Sequence, residues 1–235
     1  MHLDRLVLAS LIASGCRGEA YDSLPPYEID SLAASVQAAQ VRMHARFAAA
    51  RRMEESIARS DLDGAHVEAH LLAELDEPDA LPVWRPYIDN IRAAAHQVEL
   101  ATGLGSAATL AAGMGRSCAR CHEAIKAHIT FPAEPRPSGV PRMREHQWAA
   151  VQMWKGLIGP SDERWLEGAQ ALTTVPLNLV AMSVTPTSEL DVDDVARVRL
   201  YARRALAAQS QDARAEVFGQ LLATCAHCHA TLRDR

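Results

Sequence analysis

The sequence predicts an all-α protein built as two tandem four-helix bundles, and three observations carry that prediction. Ala, Arg, Leu, Glu and Gln dominate the chain, and no long alternating run rich in Val, Ile and Thr is present to pair as strand. A segment carrying Pro132, Pro135, Pro137, Ser138, Gly139 and Pro141 divides the chain in the manner of a linker. The two sides then resemble each other: Arg42-Met43 matches Arg142-Met143, Ala49-Ala50 matches Ala149-Ala150 and Met53 matches Met153, all at an offset of 100 residues.

Taken in order, the first segment stands outside the bundles. Leu6 to Gly15 is an apolar run behind Arg5, too short to span a bilayer as a mature helix, and it reads as a secretory signal peptide. Its end, Ile12-Ala13-Ser14-Gly15-Cys16, resembles the lipobox of bacterial lipoproteins, in which the cysteine becomes the lipidated first residue. Ala13 stands where Leu is usual, Asp4 weakens the positive region, and Gly18-Glu19-Ala20 offers an ordinary cleavage site. Residues 1–20 are thus expected to be leader, with the chain either anchored through Cys16 or soluble. Both routes export it, to the periplasm or the outer face of a membrane.

The first bundle is expected over 21–131, with helices from Ser31 to Arg59, Leu62 to Leu75, Trp84 to Thr102 and Ala107 to Ile129. Asp61 and Gly64, Pro78 and Pro82, and Gly103 and Gly105 mark the breaks, with Ser106 expected as an N-cap. The linker covers 132–141. The second bundle, 142–235, is expected to hold helices from Arg142 to Leu157, Asp162 to Leu172, Val192 to Ala208 and Asp212 to Thr231, punctuated by Gly159-Pro160-Ser161 and Ser210. Short turns between helices of this length favour antiparallel packing.

Each half ends in the pentapeptide Cys-x-x-Cys-His: Cys118-Ala119-Arg120-Cys121-His122 and Cys225-Ala226-His227-Cys228-His229. Residues three and four apart share one face of a helix, so a single turn presents two thiols and an imidazole together. That is the signature of covalent c-type haem attachment. Cys118, Cys121, Cys225 and Cys228 are the expected thioether residues of two haem c groups, with His122 and His229 as proximal iron ligands. A lone Cys-x-x-Cys also fits a redox dithiol or half a zinc site, but neither requires the histidine that follows each pair. Of the five cysteines only Cys16 is left over, so none remains for a structural disulfide. The pentapeptides are 107 residues apart, which places a seven-residue insertion between the repeats, expected within Thr174 to Glu189 near Pro176 and Pro186.

With the pentapeptide near the end of the fourth helix of each half, the chain resembles the cytochrome c prime class and its six-coordinate relatives. In that class a four-helix bundle carries Cys-x-x-Cys-His near the end of its last helix. The common small cytochromes c, and the dihaem peroxidases built from them, carry it near the start of each haem domain. The pentapeptide is the only specific motif of the resemblance, and the duplication departs from the single-haem pattern of the class.

In an up-down-up-down bundle the end of helix four lies beside the start of helix one, which makes Met43 and Met143 the candidate distal iron ligands. His/Met ligation raises the reduction potential and suits electron transfer; the alternative is that both methionines only fill the core. His146 shares a face with Met143 and competes as a ligand, although Arg46 takes its place in the first half, and His44 stands beside Met43. His66 and His70 are spaced as a metal pair but lack a third ligand in the sequence nearby, so a solvated helix face is expected. His96 and His128 are read as surface or packing residues, and His227 as pointing away from iron. Phe47, Trp148, Trp154 and Trp165 are read as core.

A formal charge of −5 without a sustained basic stretch excludes nucleic acid as an expected partner. No phosphate loop, nucleophile elbow or zinc-protease motif is present. The expected role is an exported dihaem cytochrome c that passes single electrons between redox partner proteins, fixing the axial ligands, excluding water and holding the two haems close enough for transfer. It is read as a carrier, not an enzyme. The alternatives are a protein that binds or senses CO or NO, or a small-molecule haem enzyme, with one haem five-coordinate; a structural subunit of a larger respiratory complex is a third. Membrane contact would come through lipidated Cys16, and a homodimer through exposed helix faces stays open.

Overall fold

The computed structural model describes residues 26–75, 77, 80–137, 142–174 and 189–233; Cys16 and the whole expected leader lie outside them. Among the described residues there are eight α-helices and no strand, so the chain is all-α. In chain order they are α1 (Pro26–Ala58), α2 (Leu62–Glu74), α3 (Arg85–Glu99), α4 (Leu104–Ala124), α5 (Arg142–Ile158), α6 (Asp162–Thr174), α7 (Glu189–Ala207) and α8 (Gln211–Arg233).

The local signals account for most boundaries. The Asp61 carboxylate accepts from the Gly64 N–H and caps α2. Ser161 and Ser210 do the same for α6 and α8, accepting from the N–H groups of Arg164 and Ala213. Ser106 does not cap α4. That helix starts at Leu104 after an extended Gly103, and the Ser106 hydroxyl turns back to donate to the Gly103 carbonyl. The same helix ends short of Ile129, because Lys126 enters the left-handed region at φ 52°. The Ala127 N–H then bonds the His122 carbonyl and the Lys126 N–H that of Glu123, a Schellman cap. Ser60, at φ 63°, closes α1 in the same way.

Sequential helices pack on one another within each half, but the most extensive pairing joins α4 to α8 across the halves. The facing surfaces are small. Ala107, Ala108, Ala111 and Ala112 of α4 are fully buried, and a Cβ added at Gly219 of α8 would stand 3.2 Å from the Thr109 Cα. Thr109 thus faces Gly219, while Arg116 and Arg120 both reach Asp212, so the two helices run antiparallel. By contrast α1 meets α4, and α5 meets α8, along only short stretches; α1 also packs on α8 and α5 on α4. A single hydrophobic core runs through both halves, with Met53, Met114, Met153, Trp154, Trp165 and Phe218 among its largest members.

The described part of the linker is fastened to the fold. The Glu134 carbonyl accepts from the Trp148 indole, the Glu134 carboxylate pairs with buried Lys155 at 2.9 Å, and Arg136 pairs with Glu145. Phe131 packs against Phe47 at 5.1 Å between ring centres and against Gly159, wedging the connector between α1 and α5.

Two glycines set the contact between α5 and α6. A Cβ at Gly168 would lie 2.4 Å from the Ala149 carbonyl oxygen, and one at Gly156 would lie 2.4 Å from the Trp165 nitrogen, both backbone atoms that cannot swing aside. Gly168→Ala is therefore expected to destabilise by about 1–3 kcal/mol in chemical denaturation. Gly113→Ala on α4, where a Cβ would meet nothing within 4 Å, is expected to stabilise by about 0.5–1 kcal/mol.

Candidate functional site

The two pentapeptides occupy the last turns of α4 and the C-terminal part of α8. Ala119 and Ala226 are fully buried while Arg120 and His227 face solvent, which fixes how each turn is rotated. The four thiols are free of disulfides. Cys121 is buried, and Cys118, Cys225 and Cys228 are partly so.

Each motif histidine is held by the opposite half. His122 Nδ1 donates to the carbonyl of Ile158, the last residue of α5, at 2.9 Å, and His229 Nδ1 donates to the carbonyl of Ala58, the last residue of α1, at 2.5 Å. Ala58 and Ile158 are themselves related by the 100-residue offset of the repeat. A helix leaves its last carbonyls without intrahelical partners, so these acceptors are built into the termini of α1 and α5. Because the acceptor is a carbonyl, Nδ1 carries the donated proton, so Nε2 is the ring nitrogen left for another partner. Burial also holds the His122 imidazole below the usual histidine range, more than the bond to Ile158 raises it, which favours the neutral ring.

Burial also favours the protonated form of three of the thiols. Burial pushes Cys118 up to about 12, with Cys121 adding to the effect and Arg46 opposing it. Cys121 is pushed to about 11 and Cys225 to about 12, again chiefly by burial. A redox dithiol depends on the opposite shift, toward the thiolate. Among the described residues no three His, Cys, Asp or Glu side chains converge as a metal cage would require. Two thiols one turn apart, followed by an imidazole oriented through its Nδ1, are a donor set that fits covalent haem.

The antiparallel register of α4 and α8 puts the motifs at opposite ends of that pair. Nineteen residues of register separate their centres, roughly 28 Å along the axis at about 1.5 Å per residue. At the first motif, the connections around Ile158 include the α5–α6 turn and, through Arg214, which pairs with Asp162 and bonds the Ala208 carbonyl, the α7–α8 turn. At the second, the Ser60 hydroxyl donates to the Ala226 carbonyl at 2.5 Å, and His66 bonds the Ala101 carbonyl at 2.9 Å, tying in the α3–α4 turn. Each site is thus lined by the turns of the other half.

The surroundings of the two sites are not equivalent. Arg46, buried on α1, acts on both Cys118 and Cys121 and pairs with buried Glu77 at 3.0 Å, with Arg42 farther off at 3.8 Å. Met43 lies one turn before Arg46 on the same helix face and is partly buried. Met143 is partly buried and His146 buried at the repeat positions on α5. Near Cys225 the buried groups are acidic: Glu54 of α1 and Asp194 of α7. Burial pushes the Glu54 carboxyl up to about 7, partly offset by its ion-pair partner Arg51. Asp194 pairs with Arg197 at 3.0 Å and with His227 Nδ1 at 2.8 Å, which turns the His227 ring to the protein surface.

The remaining histidines serve the scaffold or face solvent. His70 and His96 both bond the Glu99 carboxylate, at 3.0 and 2.9 Å, and clasp α2 to α3; His96 chiefly, then His70, holds that carboxyl below its usual range. His44 and His128 are exposed. Trp154 and Trp165 are fully buried, and the Trp165 indole donates to the Ala205 carbonyl at 2.8 Å. The residues that sequence reasoning missed are Ala58 and Ile158 with their carbonyls, Ser60, Glu54, Glu77 and Asp194. The repeat offset shared by Ala58 and Ile158 is the one signal that pointed to any of them.

Glu54 makes stability depend on pH. Its folded-state carboxyl titrates near 7, above the ordinary glutamate value of 4.5, so between those values the native state binds more protons than the unfolded chain. Stability therefore falls as pH rises through that window. Glu54→Gln removes the penalty, and thermal melts are expected to show it gaining on the parent by on the order of 1–3 kcal/mol from pH 5 to pH 8. A constant difference across that range would sink the assignment. Comparison with protein-family models, curated proteins and solved structures gave no match for this chain.

Proposed function

We propose that the chain is an exported dihaem c-type cytochrome that carries single electrons between redox partner proteins, with one haem at each pentapeptide. The observation that carries this reading is the pair of reciprocal bonds from His122 and His229 to the α5 and α1 carbonyls, which fixes each imidazole through Nδ1 next to a pair of free thiols. Bound there, haem would supply one-electron Fe(III)/Fe(II) chemistry. Cys118 and Cys121, and Cys225 and Cys228, would hold the groups by thioethers, with His122 and His229 as proximal ligands. Met43 and Met143 are the proposed distal ligands. The finer reading of the fold, a duplicated relative of the cytochrome c prime class with one four-helix haem unit per half, belongs to the same proposal.

The separation of the motifs bears on the route of the electrons. Attachment points roughly 28 Å apart along the α4–α8 pair disfavour rapid exchange between the haems, since tunnelling falls steeply with distance. Each haem then serves a partner docking at its own end. Export, anchoring through lipidated Cys16 and a periplasmic location complete the proposal. No helix among the described residues is long and apolar enough to cross a membrane, so on this reading the lipid is the anchor.

A second reading, a gas-binding protein or small-molecule haem enzyme with one five-coordinate haem, draws on the exchange of Arg46 for His146 between the halves. An always-charged guanidinium has no lone pair for iron, whereas an imidazole does.

Expression in a host competent for c-type haem attachment tests the proposal directly. Two covalent haems per chain are expected on a denaturing gel, falling to one in Cys118→Ser/Cys121→Ser and one in Cys225→Ser/Cys228→Ser; no covalent haem would refute it. Magnetic circular dichroism of the oxidised protein is expected to show two low-spin haems with a methionine-to-iron band, lost at one site in Met43→Ala and at the other in Met143→Ala. A high-spin haem that takes up carbon monoxide when reduced would favour the second reading.

A further inference from the structure

The two candidate sites are related by the repeat, yet the ionisable groups buried beside them differ in kind. Position 54 carries a glutamate 3 % exposed on α1, while the repeat position carries Trp154 in the core. Although Glu54 belongs to the first half, its charge acts on Cys225 of the second pentapeptide. It stands one turn from Ala58, whose carbonyl holds His229. The charged groups around it are few. Arg51, its ion-pair partner, and Glu55 lie on α1, while Arg52 of the same helix is engaged by Glu68 of α2 at 2.6 Å. On the α8 side stand Cys225 and the Ala58-bound His229, with Asp194 of α7 acting on the same thiol; at its far end α1 carries Arg46 to Cys118 and Cys121 of α4.

We propose that Glu54 is the proton-accepting group coupled to the second haem: when a redox partner protein delivers one electron at the His229 site, the Glu54 carboxylate takes one proton from solvent, and it returns that proton on reoxidation. The inference rests on the haem reading above. One electron and one proton enter together; a single O–H bond forms at the carboxylate, and it breaks when the electron leaves. The physical reason is charge. A carboxylate beside an oxidised haem would be held ionised by the net positive charge of the Fe(III) core; one-electron reduction would remove that charge, and in a low-dielectric interior the loss of that attraction raises the carboxylate's affinity for a proton. Burial already brings the Glu54 carboxyl to about 7, so the exchange falls in the neutral range. The acid near the first site differs in its charge balance: Glu54 has one cation partner, Arg51, whereas Glu77 stands between two, Arg46 and Arg42.

Spectroelectrochemical titration of the holoprotein between pH 5.5 and 8.5 tests this, with Cys118→Ser/Cys121→Ser identifying the second haem by retaining it alone. The potential of the second haem is expected to fall as pH rises, by up to about 59 mV per pH unit, the limit for one proton per electron. In Glu54→Gln that slope should flatten and the potential should rise, with the first haem unchanged, and Glu54→Asp should restore the slope. A redox-difference infrared spectrum of the parent protein supplies a measurement free of substitution. A protonated-carboxyl band sensitive to deuterium should grow on reduction, and its absence would overturn the proposal. A second-haem slope that persists in Glu54→Gln would assign the proton to another group and leave the haem reading intact. A chain without covalent haem would overturn both.

Discussion

Two hydrogen bonds, from the motif imidazoles to the last carbonyls of α1 and α5, are the constraint around which the candidate sites are organised. A helix C-terminus buried in a protein must find donors for its terminal carbonyls, and a ligating histidine must find an acceptor that fixes its ring. Here one bond meets each pair of needs, and it does so across the halves. Neither site is complete with the residues of its own half. The α4–α8 seam, the shared core and the connector clamped through Phe131, Glu134 and Arg136 all hold the halves in the relation those two bonds require.

The antiparallel α4–α8 pair decides where the two pentapeptides stand. Alanines and Gly219 let the helices approach closely, and the register of Thr109 on Gly219 and Arg116 on Asp212 sends the motifs to opposite ends. A parallel pairing would have set them side by side. The sequence reading expected haems close enough for mutual transfer; on the electron-carrier proposal, the observed register favours two separate outlets instead. Trp154 and Phe218, stacked at 5.3 Å in the interior, lie between the ends as packing.

Much of the helical scaffold was legible because its signals are local. Asp61, Ser161 and Ser210 cap where short-range chemistry says they should, and the breaks at Gly103 and Gly159 are where they were expected. Ser106 misled because the N-cap position falls three residues earlier, at Gly103, with no side-chain cap at all, and the Ser106 hydroxyl lies inside the first turn of the helix. The end of α4 was placed too late because a left-handed Lys126 carries no sequence mark. The pentapeptides announced their own positions, but not their neighbours. Periodicity says which face of a helix is apolar, not which helix end will meet it, so the carbonyls of Ala58 and Ile158 could not be read in advance. Glu54 is hidden for the same reason: an acid on a helix reads as solvated until tertiary packing buries it.

The repeat is most informative where it fails. Positions 53 and 153 keep methionine in the core, but positions 54 and 154 exchange a carboxylate for an indole, and 46 and 146 exchange a guanidinium for an imidazole. A buried ion pair such as Arg46–Glu77 is poor value as a stabiliser, since desolvating both charges offsets most of their attraction. Its presence is better explained by what it does to the thiols and the iron proposed beside them. Charges held out of solvent are screened little, whereas a surface charge is weakened by water and by salt. On the haem proposal, two motif turns, one with a cation and the other with acids buried beside it, need not share a reduction potential even with the same axial ligands.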